Sequence, residues 1–497
     1  MRARKCPRPV AAACGAVLAV FAASAGGCAR APSSQALSPD AAATALEGRR
    51  LDDPRLLAFI SAAERLEPGA VAPSAGPPSW TLRRLTLAAL YFHPDLDVAR
   101  SALAVAEAGK VTAAERPNPS VALVPPPFLF GAVVNAVIET GSKRSERIAN
   151  ATALADSARQ DLITAGWQVR SGVRDALLAL WTARERAALL AAEAAPARRL
   201  VAAQEARLAA GAADAAEVSA VRIGVMNVAS AMSDAARAEA LAEAKLAAAI
   251  GIPLAALSGV ALDFDRIAHP PVLAADLAPG DAEGEAQGGG VEGRLRRAAL
   301  LGRSDVKAGL ASYAAADAAL RAEIANRYPN LTLSPGYNWY QGINTYAIAP
   351  GFDLPILNQN QGRIGEALAR RNQEAARFLA LEARIIAALD QAGADYRAAE
   401  AGLHAADALL ALEAARAGEI ARAFRAGAAD QPTALAGEVD EAHARLSWLD
   451  ARVAELAAIG ELEDALRQPL FDPGATLPDL APPPRAEFAG AALPAHP

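Results

Sequence analysis

The chain has 497 residues, 53% of them hydrophobic and 21% charged, with a formal net charge of −6. That balance excludes an intrinsically disordered chain, and a weakly acidic chain without a basic block beyond its extreme N-terminus argues against a nucleic-acid partner. Roughly half of the hydrophobic content is alanine, the best helix former and one that buries little surface, while aromatics are only 5%. Such a composition predicts long, closely packed helices and not a thick globular core.

All three cysteines, Cys6, Cys14 and Cys28, precede residue 29. No thiol is left in the body of the chain for a disulfide framework, a zinc site or a nucleophile. Residues 1–27 read as a secretory signal: Arg2, Arg4, Lys5 and Arg8, an apolar run from Val10 to Ala25, then Ala25-Gly26-Gly27 before Cys28. This layout resembles a bacterial lipoprotein signal, which implies lipid attachment at Cys28. An ordinary cleaved signal or a single N-terminal anchor accounts for the same residues. Residues 28–81 are expected to be a lipid-anchored linker, with Glu67 to Ser79 its most linker-like part. Beyond the signal, no stretch reaches the roughly 18 consecutive apolar residues of a membrane-spanning helix. A mature chain that crosses a membrane must therefore do so with strands.

From residue 82 the sequence divides into two copies of one pattern, 82–257 and 295–469. Arg147-Ile148 falls on Arg363-Ile364, Gly211-Ala212-Ala213-Asp214 on Gly427-Ala428-Ala429-Asp430, and Pro253 on Pro469, all at an offset of 216 residues. Each copy opens with a helical segment (about 85–116 and 295–327) that ends at a proline. Strand-like stretches follow and predict hairpins over 119–140 and 330–356; the second holds Tyr337, Trp339, Tyr340 and Tyr346 around a Gln341–Asn344 turn. A very long helix comes next, about 144–210 and 364–426, broken at a tip by Gly211 or Gly427. A return helix of about 35 residues is capped by Asp214 with Glu217, or by Asp430 with Pro432 in its first turn. Leu389, Tyr396, Leu403 and Leu410 recur every seven residues, facing Ile385, Ala392, Ala399 and Ala406, which predicts coiled-coil packing. Pro196 is expected to bend the first long helix. A Gly- and acid-rich linker over 258–294 separates the copies, and a Pro-rich tail occupies 470–497.

Catalytic and metal chemistry find no support. His93, His269, His404, His443 and His496 lack metal-ligand spacing, Met1, Met226 and Met232 form no soft-metal set, and Gly288-Gly289-Gly290 lacks a phosphate-loop lysine. The chain reads as neither an enzyme nor a cofactor binder.

The duplicated layout, together with His93-Pro94-Asp95-Leu96 through Arg116-Pro117-Asn118-Pro119, Leu354 through Ile364 and Arg425-Ala426-Gly427, resembles the outer-membrane efflux protein family typified by TolC. Ile138 through Arg144 with Arg147 is similar to the heavy-metal efflux branch (CzcC- and CusC-like). The resemblance implies a mainly α fold with a small β part: a long α-helical barrel plus an outer-membrane β-barrel, two tandem repeats per chain, closed by trimerisation. It implies a passive trans-periplasmic duct in a tripartite system, exporting small molecules or metal ions. Its partners would be a periplasmic adaptor, met at Gly211, Asp214, Glu217, Gly427, Asp430 and Pro432, and an inner-membrane transporter of the RND type. Tyr337, Trp339, Tyr340 and Tyr346 would girdle the barrel in outer-membrane lipid. The family's gate carboxylates are replaced by Thr433 and Ala436, leaving Asp430, Glu438 and Asp440 as a candidate acidic ring at the entrance. A channel for type I protein secretion and a lipid-anchored periplasmic coiled-coil scaffold without a pore are the alternatives.

Overall fold

In the computed structural model, residues 36–65, 79–124, 130–271, 297, 300–473, 475, 478 and 480 are described. The expected signal (1–27), Cys28, and most of the 67–79, 258–294 and 470–497 segments lie outside them. The chain divides into two units, residues 1–45 with 481–497, and residues 46–480. Of the first unit, 36–45 are described and hold most of helix α1 (Pro39–Glu47), whose Ser38 carbonyl accepts from Ala42 N–H.

The second unit begins with α2 (Pro54–Arg65), in a region expected to be linker. Leu56, Ile60 and Ala63 share one helical face and are buried, which turns part of that linker into core. The helix expected over 85–116 is two helices, α3 (Leu82–Phe92) and α4 (Pro94–Ala114). Proline bars the helical conformation at His93, whose side chain then caps α4 by accepting from Asp95 N–H at 3.3 Å. Helix α8 (Ser304–Ala325) likewise starts after an extended residue, Arg303.

Strands β1 (Ser120–Val124), β2 (Phe130–Ile138), β3 (Leu331–Tyr340) and β4 (Ile343–Phe352) form one antiparallel sheet in the order β1-β2-β3-β4. The β3–β4 turn is tighter than the expected four residues. Only Gln341 and Gly342 are unpaired, both at positive φ (50° and 91°), the mirror-image turn that matches strand twist.

The long helices are α5 (Lys143–Ala209, 67 residues) and α9 (Gln361–Arg425, 65 residues), each spanning about 100 Å. Helix α5 continues through the buried Pro196 without interruption. The return helices α6 (Ala215–Ile250) and α10 (Gln431–Leu466) are both 36 residues long and start 216 positions apart. After α6 the chain forms a short 3-10 turn (Leu254–Leu257) and α7 (Asp265–Ala268). Trp80 pairs with Leu262, and Ile267 is fully buried, so 258–271 packs as structure and not as linker.

The core is built where α3, the middle of α5 and the C-terminal ends of α6 and α10 meet, around Leu85, Leu90, Leu177, Leu180, Leu246, Ile250 and Leu456. Leu470 and Phe471, expected to start the tail, are buried there as well. Along α9, Ile385, Ala392 and Tyr396 are buried and the other heptad positions half-buried, the pattern of a helix seam.

Candidate functional site

The sheet has two chemically different faces. Pairing of Tyr337 with Tyr346, Ala132 with Tyr337, and Leu123 with Ala132 fixes which side chains share a side. One face carries Val121 and Leu123 on β1, Ala132, Val134, Ala136 and Ile138 on β2, Leu331, Leu333, Pro335, Tyr337 and Trp339 on β3, and Tyr346, Ile348, Pro350 and Phe352 on β4. Asn344 is the one polar residue among the positions named on it, and its Oδ1 accepts from the Tyr337 hydroxyl at 2.9 Å. Much of this apolar surface is exposed: Tyr346 by 79%, Ile348 by 72% and Phe352 by 62%. The opposite face is mixed and more polar, with Ser120, Asn135, Thr332, Ser334, Asn338 and Thr345 among Ala and Gly but also Val133, Val137, Tyr340 and Ile343. Ser334 Oγ meets Asn135 Oδ1 across β2 and β3 at 2.8 Å. A Cβ on Gly131 would stand 2.4 Å from Asn338 Oδ1, so a side chain there would push that amide aside. Of the four expected girdle aromatics, Tyr337, Trp339 and Tyr346 lie on the apolar face, with Tyr337 and Tyr346 rings 5.3 Å apart. Tyr340 lies on the polar face, because the pleat reverses at each residue. Within the chain β1 and β4 are both edges.

The junctions below the sheet are tied by polar side chains. Lys143 Nζ donates to Tyr328 O (2.6 Å) and Asn330 Oδ1 (2.5 Å), Thr140 Oγ1 to Pro329 O, and Arg147 binds the Glu139 carboxylate. At the junction before α9, Asn360, at φ 62°, donates through Nδ2 to Glu323 O and Oε2. These bonds fix where helix hands over to strand.

At the other end of the long helices, Gly211 (φ 72°) and Gly427 (φ 74°) close each helix with paired bonds, Ala212 N to Arg207 O and Gly211 N to Leu208 O, repeated at Ala428 and Gly427. Asp214 Oδ1 then accepts from Glu217 N (2.7 Å) and Asp430 Oδ1 from Thr433 N (3.0 Å). The two tips lie side by side, since Arg207 Nη1 of the first stands 3.4 Å from Asp430 Oδ2 of the second. Gly211, Asp214, Glu217, Gly427 and Asp430 are exposed, but Pro432 is buried and is not a surface contact.

The candidate acidic ring is charge-paired. Asp430 meets Arg207, Glu438 meets Arg199 at 2.8 Å and Asp440 meets Arg416 at 3.3 Å. Two of these pairs belong to a ladder between α5 and α10, with Arg186·Asp450 and Glu193·His443 as further rungs. Bonds from Thr433, with a smaller contribution from Arg207, hold the Asp430 carboxyl below its ordinary value.

Sequence reasoning missed the most buried charges. Glu463, fully buried, accepts from Arg174 Nη1 (3.1 Å) and from the Leu470 and Phe471 amides (2.6 and 3.0 Å), with Arg170 Nη2 at 3.2 Å. Asp464 accepts from Trp167 Nε1 (2.8 Å), Arg174 Nη2 (2.8 Å) and Ser171. The one sequence signal is Gly460 inside α10, where a Cβ would lie 3.0 Å from Arg174 Nε.

No protein-family profile matches the sequence, and no curated protein does either. Solved structures do match the fold. A membrane protein from Pseudomonas aeruginosa aligns with TM-score 0.62 at 17% identity, covering 81% of this chain and 99% of that one. The outer-membrane channel OprN aligns with TM-score 0.61 at 17% identity over 88% of this chain and 97% of that one. The outer membrane protein VceC from Vibrio cholerae gives 0.61 and 17%, over 78% and 95%. This chain shares its fold with outer-membrane channels.

Proposed function

We propose that the chain is one subunit of an outer-membrane channel of a tripartite efflux system, a passive duct that crosses the periplasm. The observation that carries this reading is the sheet: one face almost wholly apolar and largely exposed, the other mixed and richer in Ser, Thr and Asn, with both edges open among the described strands. In lipid every backbone N–H and C=O must be paired, so a four-stranded sheet needs further copies to close it. Three copies give twelve strands, and β2, β3 and β4, of nine or ten residues each, suit a bilayer crossing. The apolar face then meets lipid and the polar face lines water. The exposed tips around Gly211, Asp214, Gly427 and Asp430 are the surface offered to a periplasmic adaptor, itself bound to an inner-membrane transporter of the RND type. Cys28 would add a lipid anchor, and Ile138 to Arg147 supports the heavy-metal branch. A wide water-filled lumen does not read its cargo.

Planar-bilayer conductance of the purified protein, with heat-modifiable mobility on gels, tests the reading. Discrete channel steps and a mobility shift on boiling are expected. A protein that gives no conductance and no β signal by circular dichroism is a periplasmic scaffold instead.

A further inference from the structure

A cavity of about 260 Å³ lies beside the buried ion cluster, between α3, the middle of α5, the start of α8 and the end of α10. Its polar lining is Arg83, Thr86, Arg170, Ser304 and Arg467, and Trp167 forms one wall. Among the described residues no carboxylate lines it. Arg170 and Arg467 both stack on Trp167, each guanidinium carbon 5.7 Å from the ring centroid. The Arg170 side chain is only 4% exposed.

Most of the nearby carboxylates are already engaged, while Asp472, whose buried Oδ2 makes no hydrogen bond, stands 3.7 Å from Arg83 Nη1. Glu463 Oε1 accepts from Arg174, and both Asp305 oxygens are held by Arg303 (3.0 and 2.7 Å), reaching Arg467 Nη2 only at 4.0 Å. Among the described residues, Arg170 Nε and Arg467 Nε have no hydrogen-bond partner, and Arg170 Nη2 makes no hydrogen bond but is ion-paired with Glu463 Oε1 at 3.2 Å. Buried donors on a charged group are costly to leave unpaired. Burial, with a smaller contribution from repulsion by Arg303, lowers the Arg467 pKa against the pull of Asp305 and Asp464. Ser304 is the first residue of α8, a 22-residue helix whose N-cap gives no side-chain bond, so the positive end of that helix faces the same cavity.

We propose that this cavity is an oxyanion site, in which a phosphate or sulfate group is held between Arg170 and Arg467 at the N-terminus of α8. The unpaired guanidinium N–H groups match tetrahedral oxygens, and the volume admits one such group with a few waters. The group can come from the free ion or from a phospholipid head. Because the cavity joins α3 and α5 of the first copy to α8 and α10 of the second, its occupant clamps the two copies together.

The test is titration calorimetry and thermal unfolding of the purified full-length protein in a neutral detergent. Inorganic phosphate, a short-chain phosphatidylglycerol, and chloride at matched ionic strength are the three arms. Phosphate is expected to give saturable heat and a saturable rise in Tm that chloride does not. R467Q should lose at least about tenfold in affinity. R170K, which keeps the charge beside Glu463 but not the planar fork, should weaken binding in a chain that still folds. A response to the lipid alone, lost in R467Q, assigns the site to a headgroup. A phosphate response equal to chloride, with none to the lipid, or responses unchanged in both variants, overturns the proposal. None of these readouts depends on conductance, so a failed site and a failed channel are told apart.

Discussion

Asp464 shows how one carboxylate can hold several parts of this chain at once. It accepts from Trp167, Ser171 and Arg174 on α5 while sitting two residues before the end of α10. Burial pushes its carboxyl up, but the bond and charge of Arg174, aided by Ser171 and Trp167, outweigh this and hold it below its ordinary value. A carboxyl whose folded pKa is depressed contributes stability above its unfolded pKa of about 3.9, and loses it as pH falls through the folded value. Asp464→Asn should therefore lower Tm at pH 7, with the gap from the natural chain narrowing as pH drops below about 4. Parallel Tm profiles across that range would show that Asp464 does not act through its charge. The neighbouring Glu463 is buried deeper, yet its partners include two backbone amides, so part of its role survives in a neutral isostere.

At the scale of elements, the helix tips were legible because they rest on local chemistry. Gly211 and Gly427 occupy a left-handed conformation that disfavours a Cβ, and Asp214 and Asp430 cap the helices that follow. The strand stretches were legible from their aromatics and prolines. Less legible was the break at His93, where a residue read as mid-helix became a cap, because the Pro94 signal competed with helical periodicity on both sides. Least legible were α2, Phe471 and the Arg170–Glu463 cluster, which become core only through contacts with distant segments that no local pattern announces. A Cβ at Gly427 meets nothing within 4 Å, so substitution there acts on the backbone alone. Gly427→Val should cost about 1–2 kcal/mol in turn geometry, and Gly427→Asn, which tolerates the same φ, much less. In cells whose resistance depends on this channel, G427V is expected to reduce resistance at normal oligomer levels and G427N to retain it. Equal resistance from both would remove the second tip from the adaptor surface.

For the molecule as a whole, the decisive feature is that neighbouring residues on one strand lie on chemically different faces of the sheet. The register that pairs Tyr337 with Tyr346 and Pro335 with Ile348 puts Ile348 on the apolar face and Ala347, paired with Gly336, on the polar one. Aromatic content pointed to a hairpin, but only the pairing of β2 with β3 shows that both hairpins contribute to the same two faces. If the apolar face meets lipid, a lysine at 348 should cost about 2–4 kcal/mol near the bilayer midplane, whereas one at 347 meets water. Ile348→Lys is therefore expected to abolish heat-modifiable oligomers in the outer membrane, and Ala347→Lys to assemble normally while shifting single-channel conductance and favouring anions. Two substitutions one position apart, identical in charge and in strand propensity, separate a membrane barrel from a soluble sheet. In a soluble sheet neither lysine would matter, since both residues are exposed in the single chain. Normal assembly of I348K, with heat-modifiable oligomers equal to those of A347K, would thus take the apolar face out of lipid and end the membrane-barrel reading, whatever the helices resemble.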